Sequence, residues 1–404
     1  MIVIRFRLAA LLRAVFFAAS MWLVACSHPS RPLTHDAYIW QRVWTPAVTQ
    51  AMQGSAGDIR AWRVLAAQTD RAGRLQVFHP DRVALLASGK PVMLVVRIDG
   101  QLVHWDEAQL LADTEALWKD WQGGDIRIAG LEIDHDCGTA RLPAYAHYLA
   151  ALHPLLQGAT LSITALPAWL HSPDLSTVLA QVDESVLQVH AVRDPHAGLF
   201  DSALALHWAD DYAQRSDKLF RIALPTYGSR VSWDAQGRLA SVQSEAGVLD
   251  AGDDSRELLA MPQDIAGFLQ QLQRDPPSHL VGIVWFRLPT MQDDRAWNLA
   301  TWLAVIRQQP LHGEITATAR PSSTPGTLDL LLQNPGELDM SLPKVVALPQ
   351  ACALADGING YALESSRDTL SIKRLQPGLL HGHSQRVIGW ARCATQGAQL
   401  HVEP

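Results

Sequence analysis

Between residues 36 and 310 the chain alternates, eight times over, between a short run rich in Val, Ile and Leu and a stretch with helical spacing of apolar residues. That alternation constrains the fold more than any other feature. Parallel strands joined by helical crossovers lead to a doubly wound open sheet or to a closed barrel. The strand-like runs are 37–44, 59–67, 91–99, 126–136, 159–166, 185–193, 218–227 and 280–288. Helical periodicity marks 106–121, 143–156, 200–215, 262–273 and 293–308, with Asp106, Pro143 and Asp293 suited to helix starts. Eight units over about 270 residues match a (β/α)8 TIM barrel in size and order. The open sheet is the competitor, but no glycine-rich phosphate fingerprint follows the first strand.

After about residue 310 the pattern changes to short alternating stretches broken by Pro and Gly, such as EITATAR, TLDLLLQN and RVIGWARC. Residues 311–404 are therefore expected to form a small antiparallel β domain of sandwich type. Between Tyr227 and Met261 lies a long polar insertion with a hairpin-like VSWDAQGRLASVQSE and an acidic DAGDDSRE. In a barrel it would leave from the face that carries active sites.

The N-terminus has its own logic. Arg5, Arg7 and Arg13 precede an apolar run at 14–24, too short to span a bilayer, and Leu23-Val24-Ala25-Cys26 follows. Residues 1–25 read as a cleaved signal peptide and 26–35, rich in Pro and Ser, as a tether. The small residue before Cys26 resembles the bacterial lipobox, which implies a lipidated Cys26, membrane attachment and enough acyl chains for stable anchoring. Ser27, by the rule for Gram-negative lipoproteins, implies the outer membrane, facing the periplasm. A plain secretory signal with an incidental cysteine is the alternative.

Charge excludes one class of partner. The net charge is −7, and losing Arg5, Arg7 and Arg13 with the leader takes it to about −10, whereas nucleic acid needs a basic surface. Of the four cysteines, Cys352 and Cys393 lie in one C-terminal segment in an oxidising compartment, so a disulfide between them is expected. Cys137 reads as a buried apolar residue. No cofactor or metal is expected, since His-x-x-x-His and Cys-x-x-Cys spacings are absent and Asp134 and Asp136 belong to no loop of oxygen ligands. Gly-x-Ser-x-Gly is also absent, which disfavours an esterase nucleophile.

In the fourth strand, Gly130-Leu131-Glu132-Ile133-Asp134-His135-Asp136, alternate residues share a face. Leu131 and Ile133 suit the helix side, which turns Glu132, Asp134 and Asp136 into the barrel. Three acids in a row raise one another's proton affinity unless paired, and carboxylates with separated proton affinities are what general acid work uses. Alternation offers further inward residues: Tyr38, Trp40, Arg42 and Trp44; Arg97 and Asp99; Gln188 and His190, with Arg193 and Asp194 at the mouth; Arg221 and Tyr227; Trp285 and Arg287. Arg42, Arg97 and Arg221 are the expected partners of Glu132 and Asp134. An ion network that merely fills the barrel, core roles for Trp40 and Trp285, and a structural His190 are the competing interpretations.

The pattern Gly-x-Glu-Ile-Asp-x-Asp resembles the fourth-strand motif of chitinase-type glycoside hydrolases, Gly-x-Asp-x-Asp-x-Glu. The stretch LEIDHDCGTARLPAYAHYLAAL also resembles an uncharacterised bacterial family of barrel proteins, a domain of unknown function, over most of residues 36–310. The chitinase-type resemblance implies Asp136 as the acid that protonates the glycosidic oxygen. It implies Asp134 as the helper that orients an N-acetyl group, Glu132 as an inner charge-tuning member, and Tyr227 and Trp285 as walls for the sugar. The acid position departs from the motif, with Asp for Glu, which moves the donating oxygen by roughly 1.5 Å. The expected function is a glycan-engaging envelope lipoprotein acting on glycosidic bonds, with Trp40, Arg42, Arg97, Asp99 and His190 contacting a polysaccharide. A non-catalytic glycan-binding or envelope-assembly lipoprotein is the alternative, and a structural barrel presenting the β domain is a third.

Overall fold

The computed structural model describes residues 32–190, 198–234, 236, 239–243, 254–366, 369–393 and 399–403. Eight parallel strands form a closed ring: β1 (Thr34–Ile39), β2 (Ala61–Thr69), β3 (Val92–Arg97), β4 (Ile128–Asp134), β5 (Thr160–Ala165), β6 (Glu184–Gln188), β7 (Leu219–Pro225) and β8 (Leu280–Phe286), with β8 pairing back on β1. Each is followed by a helix: α1 (Pro46–Ser55), α2 (Arg82–Ala87), α3 (Glu107–Gln122), α4 (Leu142–Leu152), α5 (Leu175–Leu179), α6 (Ser202–Arg215), α7 (Pro262–Arg274) and α8 (Leu299–Ile306). The barrel expectation is met, and the open sheet is excluded by the β1–β2 and β1–β8 pairings.

Local chemistry sets the helix starts. Asp106 and Asp201 accept the backbone N–H three residues on, at Gln109 and Leu204, capping α3 and α6. α4 opens at Leu142, with Pro143 in its first turn. The predicted start at Asp293 is wrong: α8 begins at Leu299 with Asn298 as its cap. Asp293 is instead held by Arg287, whose Nε donates to its carboxylate at 2.9 Å. Its other oxygen accepts the Arg295 N–H at 3.2 Å, so Asp293 closes a turn instead of opening a helix.

The outward faces of the strands pack with the helices into the main core, which includes Trp62, Leu94, Ile133, Tyr145, Trp169 and Trp302. Inside the ring a second apolar layer comprises Tyr38, Leu65, Val95, Val186, Ala223 and Val284. Two glycines make room for backbone or charge. A Cβ on Gly282 would run into the Arg221 guanidinium and the Thr34 carbonyl, and one on Gly100 would run into the carbonyl of Asp136.

After β7, Gly228–Trp233 forms the middle of a three-stranded antiparallel sheet with Leu239–Gln243 and Asp254–Leu259. This is the polar insertion, and Tyr227 stands at its base. The C-terminal region forms a separate antiparallel β domain around one eight-stranded sheet and a core of its own that includes Leu330, Leu332, Val346, Ile372 and Ile388. Cys352 and Cys393 face each other on adjacent strands of this sheet and are joined by a disulfide. The β domain docks on α8: the Asn298 N–H donates to Asp339 Oδ2 at 2.8 Å, and the Asp339 N–H donates to Thr301 Oγ1 at 2.7 Å.

Candidate active site

The barrel interior separates into a sealed ionic floor and an open mouth. The floor is built from Asp36 on β1, Arg63 on β2, Glu132 on β4, Glu184 on β6 and Arg221 on β7. Arg63 is fully buried and pairs with Asp36, Glu132 and Glu184. Arg221 Nε donates to Glu184 Oε2 at 3.0 Å and lies 3.6 Å from Asp36. Arg60 adds a further bond to Asp36 at 2.9 Å. Glu132 also accepts from the Tyr38 hydroxyl at 2.6 Å and from Ser162 Oγ at 2.8 Å. Burial pushes the Glu132 carboxyl up, against the pull of Arg63 and these two hydroxyls. Arg63 and Arg221 hold Asp36 and Glu184 below the usual carboxylate range despite their burial.

Above the floor, a cavity of about 380 Å³ is lined by Tyr38, Trp40, Arg97, Asp134, Asp136, Thr164, Leu166, Gln188, His190, Ala223, Tyr227 and Phe286. Asp134 closes β4 and is buried. It accepts from Thr164 Oγ1 at 2.7 Å and from Gln188 Nε2 at 3.4 Å. Asp136 lies just past the strand, with 39% of its side chain exposed, and accepts from the same Gln188 Nε2 at 3.3 Å. Arg97, opposite Asp134 in the β3–β4 register, approaches the two carboxylates at 3.7 and 4.0 Å. Burial, reinforced by the neighbouring Asp136, pushes Asp134 up to about 7, against Arg97 and the Thr164 hydrogen bond. Asp136 is raised as well, by burial first, with Arg97 and Gln188 opposing. Asp136 and Asp134 share Gln188 and Arg97, so protonation of one eases ionisation of the other.

The walls are aromatic. Phe286 packs edge-on to Trp40 at 5.0 Å and stacks with His190 at 5.6 Å, while Arg97 lies over Trp40 at 5.7 Å. His190 Nδ1 meets the Ala223 carbonyl at 3.2 Å. A carbonyl only accepts, so Nδ1 carries the hydrogen and Nε2 is the unprotonated nitrogen. Burial lowers His190 to about 4, so it is neutral at physiological pH.

Of the residues expected at the site, Asp134, Asp136, Trp40, Arg97, His190 and Tyr227 line this one cavity. Glu132 does not reach it. Four expectations are corrected. Trp285 points outward, in register with Ala37, and packs on His35, Trp297 and Trp302. The inward positions of β8 are even-numbered because Gly282 makes way for Arg221, and Phe286 takes the wall position. Arg42 lies exposed beyond β1 and donates to Gln68 at 3.0 Å, far from the predicted pairing with Glu132. Trp44 likewise leaves the barrel face and packs against the outer core. Asp99 ends outside the cavity, accepting the Gln101 N–H at 2.7 Å in a turn. Arg193, Asp194 and Cys26 lie outside the described residues.

The sequence reading missed Asp36, Arg63, Glu184 and Phe286. Arg63 was detectable as the one charge inside the apolar run of β2, on the face shared with Leu65. Asp36 and Glu184 each stand one residue before the predicted strand start. Cys137 is buried, with its thiol pushed up to about 12 by burial, which disfavours a nucleophile. Among the described residues, no group of three or more His, Cys, Asp or Glu is placed to hold a metal ion.

The raised Asp134 has a measurable consequence. A carboxyl whose folded pKa exceeds its unfolded value, about 3.9, favours the fold while protonated and loses that contribution as pH rises from there through about 7. Asp134→Asn is therefore expected to raise Tm more at pH 8 than at pH 5. A shift that is equal at the two pH values, or a loss at pH 8, would contradict the burial argument.

Fold and site together define a closed β/α barrel with an acidic pair in its mouth and a separate β domain behind it. A family model described as Domain of unknown function (DUF3142) matches residues 88–291, and the chain belongs to that family. A second, Domain of unknown function (DUF8456), matches residues 317–394 in the β domain. No curated protein matches the sequence. Among solved structures, a chitinase from Chromobacterium violaceum ATCC 12472 is similar at 15% identity and a TM-score of 0.49, covering 68% of this chain and 98% of that one. The spore cortex-lytic enzyme SleL of Bacillus cereus is similar at 13% identity and a TM-score of 0.48, covering 70% and 75%. A class V chitinase from Pseudomonas fluorescens Pf-5 is similar at 14% identity and a TM-score of 0.48, covering 68% and 98%.

Proposed function

We propose that this protein engages a glycan in the barrel mouth and cleaves a glycosidic bond there, as a lipoprotein of the bacterial envelope. The observation that carries the reading is the acid pair: Asp134 and Asp136 share Gln188 Nε2 beside a cavity of about 380 Å³ with aromatic walls. Trp40, Tyr227 and Phe286 suit the apolar C–H faces of a sugar ring. A pair of carboxyls whose proton affinities are both raised by burial suits protonation of a leaving oxygen. In this reading Asp136, at the open end, protonates the glycosidic oxygen. Asp134, held by Thr164 and Gln188, orients a substrate N-acetyl group, as the fourth-strand motif implies. Glu132 supports the site from below through Tyr38.

Incubation with an N-acetylglucosamine hexamer, followed by reducing-end analysis, tests it: shorter oligomers are expected. Binding without any cleavage would select a second reading, a non-catalytic glycan-binding or envelope-assembly lipoprotein. One observation favours that alternative, the aspartate at 136 being a methylene shorter than the glutamate of the motif.

Attachment to the membrane rests on Leu23-Val24-Ala25-Cys26, with Ser27 favouring the outer membrane and a periplasmic orientation. Among the described residues, no helix is long and apolar enough to cross a membrane. Cells grown with labelled palmitate are expected to label the wild-type protein and not Cys26→Ala. Equal labelling, or none in either, removes the lipid anchor.

A further inference from the structure

Arg97 has no part in the chemistry proposed for the barrel mouth, yet its place there is tightly set. β3 is apolar from Val92 to Val96 and ends on Arg97. Parallel register puts Arg97 opposite Asp134, the last residue of β4. Its guanidinium lies over the Trp40 ring at 5.7 Å, a cation–π contact, with Nε 3.7 Å from Asp134 and Nη2 4.0 Å from Asp136. The side chain is half-buried in the cavity wall, where salt screens a charge less than at an open surface. The other groups around the acid pair do not replace this charge. Burial keeps Tyr38 of β1, Tyr145 of α4 and Cys137 protonated and neutral. His190, lowered to about 4 by burial, is neutral too. Glu132, below Asp134 on β4, is paired with Arg63. Arg287 lies over the Tyr227 ring at 5.9 Å and is paired with Asp293. Thr164 and Gln188 donate hydrogen bonds without a charge. Among the described residues lining the cavity, Arg97 is the one arginine, and no lysine joins it. Burial and the neighbouring Asp136 favour the neutral form of Asp134, and Arg97 leads the influences acting the other way, ahead of the Thr164 bond.

We propose that Arg97, braced on Trp40, is a positioning residue: it keeps Asp134 available as an anion in the barrel mouth, so that this carboxylate accepts the N–H of a substrate N-acetyl group. The inference rests on the function proposed for the mouth and adds a residue that acts through Asp134. An ionised carboxyl is acceptor-only, whereas a protonated one carries a donor of its own. Asp134 is ionised above about pH 7. Taking away a cation at 3.7 Å moves that midpoint further up, by about 1–3 units.

Two readouts on the full-length protein test it. Arg97→Met keeps an apolar chain against Trp40 but no charge. In this variant the acid-side midpoint of kcat/KM against pH, measured with an N-acetylglucosamine hexamer, is expected to move up by about 1–3 units. The carbon-13 titration of the Asp134 carboxyl, assigned with Asp134→Asn, is expected to move in the same direction. Arg97→Lys, which keeps the charge, is expected to return both midpoints toward wild type. Rates that fall equally at every pH in the Met and Lys variants, or an Asp134 titration that does not move in Arg97→Met, overturn the inference. The carboxyl titration needs no substrate, which separates the two readings. If wild type cleaves nothing while the titration moves as expected, the cleavage proposed for the mouth falls and the hold of Arg97 on the charge of Asp134 stands. If wild type cleaves and the titration stays in place, the cleavage stands and the role of Arg97 falls.

Discussion

Asp136→Asn is expected to lower glycan cleavage by about 10²- to 10⁴-fold, the usual contribution of a positioned general acid, with Tm and glycan affinity close to wild type. The reasoning is geometric. Asp136 lies beyond the end of β4, with part of its carboxylate open to the cavity, and burial raises its proton affinity against the pull of Arg97 and Gln188. Asparagine keeps the size and the Gln188 contact but carries no transferable proton. The substitution also removes a negative charge beside Asp134, so Asp134 should titrate lower than in wild type. An unchanged rate would mean that the proton comes from elsewhere. A loss of folding would mean that Asp136 is structural.

The second large effect lies below the site. Arg63→Leu is expected to destabilise the fold by about 3–5 kcal/mol, the cost of breaking a buried ion pair by removing one partner. It leaves Asp36 to Arg221 and the half-exposed Arg60, Glu184 to Arg221, and Glu132 to the hydroxyls of Tyr38 and Ser162. Against a typical stability of about 5–15 kcal/mol, much of the expressed protein should be insoluble, and urea unfolding of the remainder should show an early midpoint. A near-wild-type midpoint would show that the three acids take up protons in the fold at little cost. Activity in the surviving fraction should persist, because Arg63 does not line the cavity.

The contrast between these residues also explains what the sequence conveyed. Strand order, barrel closure and the β domain were readable because hydrophobic alternation and helix spacing are local properties. The direction of Asp134 and Asp136 followed from Ile133 on the opposite face. Tyr227 was visible as a strand end. The failures lie where direction depends on tertiary packing. Trp285 looks like a wall residue from its place near the end of β8, but inside the ring the space opposite Gly282 is filled by Arg221, which sets the parity of the strand. Arg42 and Asp99 follow the period of their strands only until the chain turns out of the sheet. Asp293 resembles a helix cap, but it pairs with Arg287 and closes a turn at Arg295, and the helix waits for Asn298. The ionic floor was half-legible: its acids and arginines stand at inward positions, but which pairs form depends on register between strands far apart in sequence, such as β2 with β6.

The central claim is that a sugar occupies the barrel mouth against the Asp134–Asp136 pair. A crystal structure of the Asp136→Asn protein soaked with an N-acetylglucosamine tetramer tests it most directly. The account predicts a sugar ring between Trp40 and Tyr227, with its N-acetyl group hydrogen-bonded to Asp134. A tetramer bound only elsewhere, or a mouth left without sugar at saturating concentration, would contradict it.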